Sequence, residues 1–349
     1  MTTILAFVFV LSLLVLVHEL GHFALARIFG VRVLHFALGY GPKLVSWVWG
    51  KVEFSVRLFP LGGYVRMAGM EGNLLEGQGE PPVAFSERFD AKPLWQRSCI
   101  VLAGPLMNLV LSVVLLFLVF SFTGVPTGRI TVLEVLPGGP AAQSGIEKGD
   151  VLLAVNGKRV ERIEDVTRIV ATSPGKPVVF TLERGGKILD IVVVPEWSDV
   201  EKRALIRVVF GGESKKYNPF VTLAKSGATV VEWFILSFLG VLYALSGKIP
   251  LEVTGPLGIA QMAGQAAAFG FLNLLAFAAV ISVFLALFNL FPIPVLDGGH
   301  LLLFLYERIR GRALEEEKKG IIYLIGIIFI FLLSVFVTYQ DVLRIVMGR

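Results

Sequence analysis

His18, Glu19 and His22 form a His-Glu-x-x-His motif inside an apolar run extending from about residue 4 to 28. On a helix, residues four apart stand one turn apart on the same face, so His18 and His22 can hold one cation between them. Glu19 projects beside them, placed to take a proton from a metal-activated water. Ionisable groups inside an apolar span are costly to insert into lipid, so they are not there for solubility. The chemistry these residues can do together is zinc-assisted hydrolysis, at membrane depth.

A catalytic zinc of this kind takes three ligands from the protein. Cys99 is the only cysteine, which excludes a Cys-x-x-Cys thiolate site and any intrachain disulfide. Of the other two histidines, His35 reads as a surface or packing residue, and His300 as a possible neighbour of the metal rather than a ligand. The outstanding third ligand is Asp297. Pro292 and Pro294 break the helix just before it, and Gly298 and Gly299 free the backbone after it. Broken helices at membrane depth are tolerated only where protein buries them or a wet cavity is lined. The plainer alternative is a turn aspartate that caps the following helix.

The elements that must carry these residues are membrane helices. Of 349 residues, 55% are hydrophobic and 17% charged, against about 25% charged in soluble domains. Apolar segments at about 4–28, 98–122, 271–292 and 321–345 are each long enough to span a bilayer. A fifth, 220–247, is interrupted by Lys225, Glu232 and small residues. The first segment lacks the basic start and the cleavage site of a signal peptide. For Asp297 to reach the two histidines, the 4–28 and 271–292 helices must run the same way. The 98–122 helix brings the chain back, so 220–247 is expected to lie in the interface rather than cross.

Arg27, Arg32, Arg88, Lys92 and Arg97, and later Arg308, Arg310, Arg312, Lys318 and Lys319, flank these spans. They place residues of about 30–97 and 300–320 in the cytoplasm and the intervening 123–269 outside. There is no basic tract with interleaved aromatics, so a nucleic-acid partner is not expected. Residues 126–197 alternate short β-rich runs with turn signals at Pro137–Ala142, Asn156-Gly157 and Arg184–Gly186, around a helix expected at Ile163–Ala171. The stretch Gly139–Leu152 resembles the PDZ domains of bacterial envelope proteases. Val52, Phe54, Val56 and Leu58 alternate with polar residues ahead of Pro60-Leu61-Gly62-Gly63, which predicts a hairpin over about 52–69.

Taken in order, His18–His22, Ala103-Gly104-Pro105-Leu106-Met107-Asn108, one PDZ-like module and Asn289–Gly299 resemble the site-2 protease family of intramembrane zinc metalloproteases, and most closely its bacterial sigma-regulating members. The resemblance covers nearly the whole chain. It implies Zn2+ held by His18, His22 and Asp297, with Glu19 as the base. It further implies that Asn289 positions substrate and that the 52–69 hairpin re-enters the membrane; the edge of such a hairpin, near Gly62 and Gly63, can hold an unwound substrate as an added strand. Asn108 joins these as a substrate-binding candidate, with helix packing the alternative for it and for Gly104.

The expected fold is therefore a polytopic α-helical membrane protein with four transmembrane helices, a membrane-reentrant β-hairpin and one inserted extracytoplasmic PDZ domain of α+β type. The expected parts are 1–125 and 270–349 as the two halves of the protease core, 126–198 as the PDZ domain, and 199–269 as linker and interfacial helix. The expected setting is the bacterial inner membrane, with the site near the cytoplasmic face. Implied substrates are single-pass membrane proteins, an anti-sigma factor or remnant signal peptides, with peptide C-termini as possible PDZ ligands and membrane lipid as the surrounding partner. The competing classes are a PDZ-bearing scaffold and a metal transporter. Transporters commonly show internal repeats, and none is visible here.

Overall fold

The computed structural model describes residues 2–70, 82–248, 254–312 and 314–347. In chain order, helix α1 (Thr2–Ile28) leads into two long strands, β1 (Val33–Trp49) and β2 (Val52–Met67), and then helix α2 (Leu94–Thr123). A β-rich stretch follows: β3 (Val125–Val135), the short α3 (Pro140–Gln143), β4 (Val151–Val155), β5 (Lys158–Arg159) and α4 (Ile163–Ala171). It continues through β6 (Val178–Arg184), β7 (Lys187–Val193), β8 (Glu196–Ser198), β9 (Arg203–Leu205) and β10 (Val208–Lys215). Last come α5 (Pro219–Leu245), α6 (Pro256–Ala268), α7 (Phe271–Asn289), α8 (Asp297–Arg310) and α9 (Glu316–Met347). The chain forms two compact units: Phe120–Thr222, and the residues up to Val119 together with those from Leu223.

In the helical unit, five described helices are long and apolar enough to cross a membrane: α1, α2, α5, α7 and most of α9. Their packing differs sharply, since 56% of the most apolar stretch of α2 is buried against 6% of that of α5. α2 is thus a central helix and α5 a peripheral one. α1 stops where Gly30 turns left-handed (φ +67°). There Gly30 N–H donates to Arg27 O and Val31 N–H to Ala26 O, the paired bonds that close a helix on a glycine.

Side-chain contacts fix the helix directions. His22 meets the Ile100 carbonyl while His18 meets Asn108, so α1 and α2 run antiparallel. Ser112 Oγ donates to Ala279 O at 2.9 Å and Ser282 Oγ to Asn108 O at 2.7 Å, so α2 and α7 are also antiparallel. α1 and α7 are therefore parallel, and the Phe9 and Phe271 rings meet near their starts. Hydroxyl-to-carbonyl ties of this kind contribute about 0.6–2 kcal/mol each between apolar helices. α9 starts beside α8, where Tyr323 meets His300. It ends beside α6, where buried Asp341 accepts from the Gly255 and Gly258 amides. α6 in turn packs on the start of α1, with Gly264 against Thr3.

The strands beside α1 are more elaborate than the expected hairpin. Ala37 pairs with both Tyr64 and Ser55, and Phe54 with both Phe36 and Trp47. Each long strand is folded back on itself, so four segments lie side by side in the order 63–67, 33–40, 52–59 and 43–49. The 33–49 half is missed in the sequence because Gly39, Gly41 and Pro42 interrupt its alternation. Val33, Phe36, Val52 and Met67 pack with Ala26, Ile100, Val101 and Phe304 into one core joining the sheet to α1, α2 and α8.

The inserted unit is a mainly antiparallel sheet in the order β10-β3-β4-β6-β7, with β5 beside β4. Val178, Phe180 and Leu182 alternate inward, as a half-buried strand requires. They meet Val166 and Val170, one turn apart on α4. Asn156 and Gly157 both take positive φ, the turn type that joins two-residue hairpins, as the sequence predicts. The unit is wider than the expected 126–198. β10, in the stretch read as linker, pairs along β3 from Val208–Val135 to Lys215–Val125, and the Gly211-Gly212 pair within it masks its strand pattern. α6 likewise lies in that stretch.

Asp150, 1% exposed, anchors one corner of this sheet. It accepts from Arg184 Nε at 2.6 Å, from Arg184 Nη2 at 2.7 Å and from the Glu147 N–H at 2.9 Å. Burial alone would push this carboxyl upward, but the Arg184 guanidinium and the Glu147 amide hold it below its ordinary value. A carboxyl depressed in the fold stabilises it above about pH 4 and loses that contribution as the pH falls through the lowered value. Arg184→Leu, which leaves the carboxylate buried and unpaired, is expected to cost about 3 kcal/mol at neutral pH. The deficit relative to wild type should shrink on acidification. Amide hydrogen exchange across β3, β4 and β6, measured against pH, checks both.

Candidate metal centre

Four elements of the helical unit build the centre. α1 supplies His18 and His22, and α2 packs against them because Gly21 and Gly104 leave room. A Cβ on Gly21 would lie 2.3 Å from the Ala103 carbonyl oxygen, so α1 and α2 are in backbone contact. α7 ends at Asn289, and the turn through Pro292 and Pro294 hands the chain to α8, whose first residue is Asp297. The turn is tight. A Cβ on Gly298 would come within 2.3 Å of the Leu290 and Phe291 carbonyl oxygens, and one on Gly299 within 2.3 Å of Ile293 O. Val295 sits at φ +85°, a strained position for a β-branched residue. The paired glycines and this strained residue aim the Asp297 carboxylate back at α1, where the positive end of α8 also favours it.

His18, His22 and Asp297 form the one group of three or more potential metal ligands among the described residues. His18 Nε2 is 3.2 Å from His22 Nε2 and 3.2 Å from Asp297 Oδ2, and His22 Nε2 is 3.5 Å from Asp297 Oδ1. Ligands about 2.0–2.1 Å from a tetrahedral zinc stand roughly 3.3–3.4 Å apart. The spacings of this triangle, which run to both oxygens of the Asp297 carboxylate, are close to the edge of a zinc tetrahedron. Two further observations agree. Asp297 Oδ2 is buried without a hydrogen-bond partner. His22 donates from Nδ1 to the Ile100 carbonyl at 2.9 Å, which fixes its tautomer and leaves the Nε2 lone pair for a metal.

Gly104 forms the wall opposite. A Cβ there would lie 2.2 Å from His22 Nε2 and 2.8 Å from His18 Cε1. Only the lack of a side chain keeps the space before the imidazoles open. Sequence reading held Gly104 as possible helix packing; its bearing on the site shows only when α1 and α2 are brought together.

Glu19 is buried beside the triangle, between α1 and the folded-back strands. A Cβ on Gly63 would meet Ala37 O and Val15 Cγ1 at 2.8 Å and Glu19 Cγ at 3.2 Å. The Val65 backbone amide also faces the Glu19 carboxylate. Tyr40 donates to Gly63 O at 3.1 Å, and its ring fills the space beside Gly62, which holds φ +118°. Gly63 thus lies against Glu19, while Gly62 packs on Tyr40. Asn289 is half-buried at the end of α7, eight residues before Asp297. Asn108, expected to touch substrate, is fully enclosed with its amide 3.2 Å from His18 Nδ1. His35 lies away from the triangle, 3.1 Å from Glu53. His300 meets Tyr323 Oη at 3.1 Å and stands outside the donor set.

The family model described as Peptidase family M50 matches residues 6–333. The regulator of sigma-W protease RasP from Bacillus subtilis is 30% identical over 98% of this chain and 99% of its own length. The zinc metalloprotease RasP from Geobacillus kaustophilus is 29% identical over 97% of each. A relative from Clostridium acetobutylicum is 36% identical over 95% of this chain and 94% of its own. The PDZ domain of an SdrC-like protein from Listeria monocytogenes aligns with 25% of this chain and 93% of its own, at 17% identity and a TM-score of 0.23.

Gly104→Ala separates metal binding from folding. Alanine favours a helix over glycine by about 1 kcal/mol, yet its methyl group would occupy the space in front of His22. Zinc content by elemental analysis is expected to fall to background while helicity by circular dichroism is unchanged.

Proposed function

This chain belongs to peptidase family M50, whose relatives are zinc metalloproteases, and on that premise we propose that His18, His22 and Asp297 hold its zinc while Glu19 serves as its base. The observation that carries the reading is the convergence of two imidazoles and one carboxylate from two ends of the chain, with contacts of 3.2–3.5 Å and a buried glutamate beside them. When bound, zinc supplies Lewis-acid polarisation of the scissile carbonyl and activation of the attacking water. Glu19 takes the proton released as water adds to the carbonyl and delivers it to the departing amine. A helical substrate hides its carbonyls in its own hydrogen bonds and must unwind before attack. The segment through Gly63 and Val65 offers backbone to an extended substrate next to Glu19, in the manner of strand addition. Asn289 is assigned to positioning substrate at the end of α7.

The protein is a multi-pass membrane enzyme, and the proposed topology has four spans: α1, α2, α7 and α9. The parallel course of α1 and α7 supports it. α2 returns the chain to the side on which α7 begins, so the intervening helices must cross an even number of times. α6, with 13 residues, is about 20 Å long and cannot span a core of about 30 Å. α5 therefore lies at the interface, in keeping with its small buried share. The basic flanks put the metal-bearing ends of α1 and α7 at the cytoplasmic side of the bacterial inner membrane, with Phe120–Thr222, read as a PDZ module, outside. Exposed Leu44, Val45, Trp47, Val48 and Trp49 on the outer segment of the folded-back strands suit contact with lipid.

The proposed substrates are single-pass membrane proteins. The names of the RasP relatives favour an anti-sigma factor, with remnant signal peptides as a second class and peptide C-termini as ligands of the PDZ module. Glu19→Gln is expected to keep one zinc per chain and lose cleavage of a reconstituted single-pass substrate by at least a hundredfold, at the lower end of what general acid–base catalysis supplies. Cleavage persisting in that variant would remove Glu19 from the mechanism. Gly63→Leu, which drives a side chain into Val15 and Glu19 without touching a ligand, is expected to retain zinc and lose most turnover. Normal turnover in Gly63→Leu would count against the strand-addition role.

A further inference from the structure

We propose that Asn108 is the positioning residue for His18, setting its ring orientation and tautomer so that Nε2 faces the metal; the proposal rests on the ligand assignment above. Zinc-bound histidines almost always donate their other ring N–H to an acceptor, and that outer contact governs ligand basicity and aim. His22 has this contact in the Ile100 carbonyl. For His18, the hydrogen-bond partner at Nδ1 among the described residues is the Asn108 side-chain amide, placed with its Nδ2 at 3.2 Å. Asn108 is 0% exposed, and its amide oxygen has no hydrogen-bond partner.

These facts assign the role by exclusion. A His18 that ligates through Nε2 must carry its proton on Nδ1, and that N–H needs an acceptor. An amide presents a donor at one end and an acceptor at the other, and the two ends are exchanged by a half-turn about its last side-chain bond. With the oxygen towards His18, Asn108 accepts from Nδ1–H, and the otherwise unpaired oxygen gains a partner strengthened by the charge on the ligated ring. Asn108 is itself held firmly. Its carbonyl accepts from Ser282, and Ser112, one turn further along α2, is tied to Ala279. α7 thereby fixes the α2 residue that aims an α1 ligand. Gly104 and Asn108, four residues apart, lie on one face of α2: the first leaves the space for the ion, and the second orients one of its ligands.

The test is the zinc dissociation constant of the purified full-length protein, measured by competition with a chelator of known affinity. Asn108→Leu keeps the volume but removes the acceptor; it is expected to weaken zinc 10–100-fold, the usual effect of losing such a contact, while still taking up one zinc at saturation. Asn108→Asp keeps an acceptor in place and is expected to bind within a few-fold of wild type. Should the leucine variant fail to fold, Asn108→Ala, which only removes atoms, carries the same expectation of weakened zinc. Wild-type affinity in the variant without an acceptor would overturn the proposal, and so would equal weakening in the aspartate variant, which would mark a packing role. Asp297→Asn tells the two readings apart. If it binds zinc like wild type, or if wild type binds none, the ligand assignment itself fails; if wild type binds one zinc and Asp297→Asn loses it, the Asn108 result stands on its own.

Discussion

Two imidazoles and a carboxylate, about 275 residues apart in sequence, must come within 3.2–3.5 Å of one another, and most of the helical unit follows from that requirement. Side chains of histidine and aspartate are short, so the three helices bearing or backing them must approach at backbone distance. Gly21 against Ala103 and Gly104 against the imidazoles meet this need between α1 and α2. Gly298 and Gly299 meet it at the start of α8, and Gly326 does so where α9 passes the Pro294 carbonyl. Small residues between apolar helices allow such contact where lipid offers no hydrophobic drive to association. The serine hydroxyls joining α2 to α7 then lock the register that close approach permits.

The class of chemistry was legible in the sequence, because the motif that suggests it depends on local spacing. The four-residue separation of His18 and His22 places both on one helix face wherever that helix sits. Pro292 and Pro294 announce the break before Asp297 as plainly in sequence as in space. The direction of α7 relative to α1 also followed from sequence, once His18, His22 and Asp297 were required to meet. What escaped was whatever depends on contact between distant segments. Residues 33–49 form strand only because 52–67 lies beside them, and glycines and a proline hide their alternation. β10 belongs to the inserted sheet through its pairing with β3, and its own glycines look like linker. Gly104 and Asn108 stand out as a motif, but which atoms they face is decided by how α1 packs on α2.

Polar groups inside the helical unit are arranged so that few are left alone. Asp341 closes the start of α6, with Gly255 and Gly258 leaving no space for side chains between. Glu307 gathers Arg97 from α2, Lys319 from α9 and the Leu314 amide around one carboxylate. Asp341 joins α9 to α6, and Glu307 joins α8 to α2, elements that adjacent sequence does not connect; such pairs are worth more inside an apolar surround than in water, where an unpaired partner is readily solvated. The buried oxygens of Asn108 and Asp297 depart from this pattern, the second at the place where a cation would complete it.

The order of residues along the chain also sets a schedule. The two histidines leave the ribosome first, and Asp297 follows some 275 residues later, after the whole inserted unit has been made. At about 5–20 residues per second that interval lasts roughly 14–55 s. Throughout it the nascent chain carries the His-Glu-x-x-His motif without Asp297. The grouping of His18, His22 and Asp297 thus forms only once the segment from α7 into α8 has docked against α1.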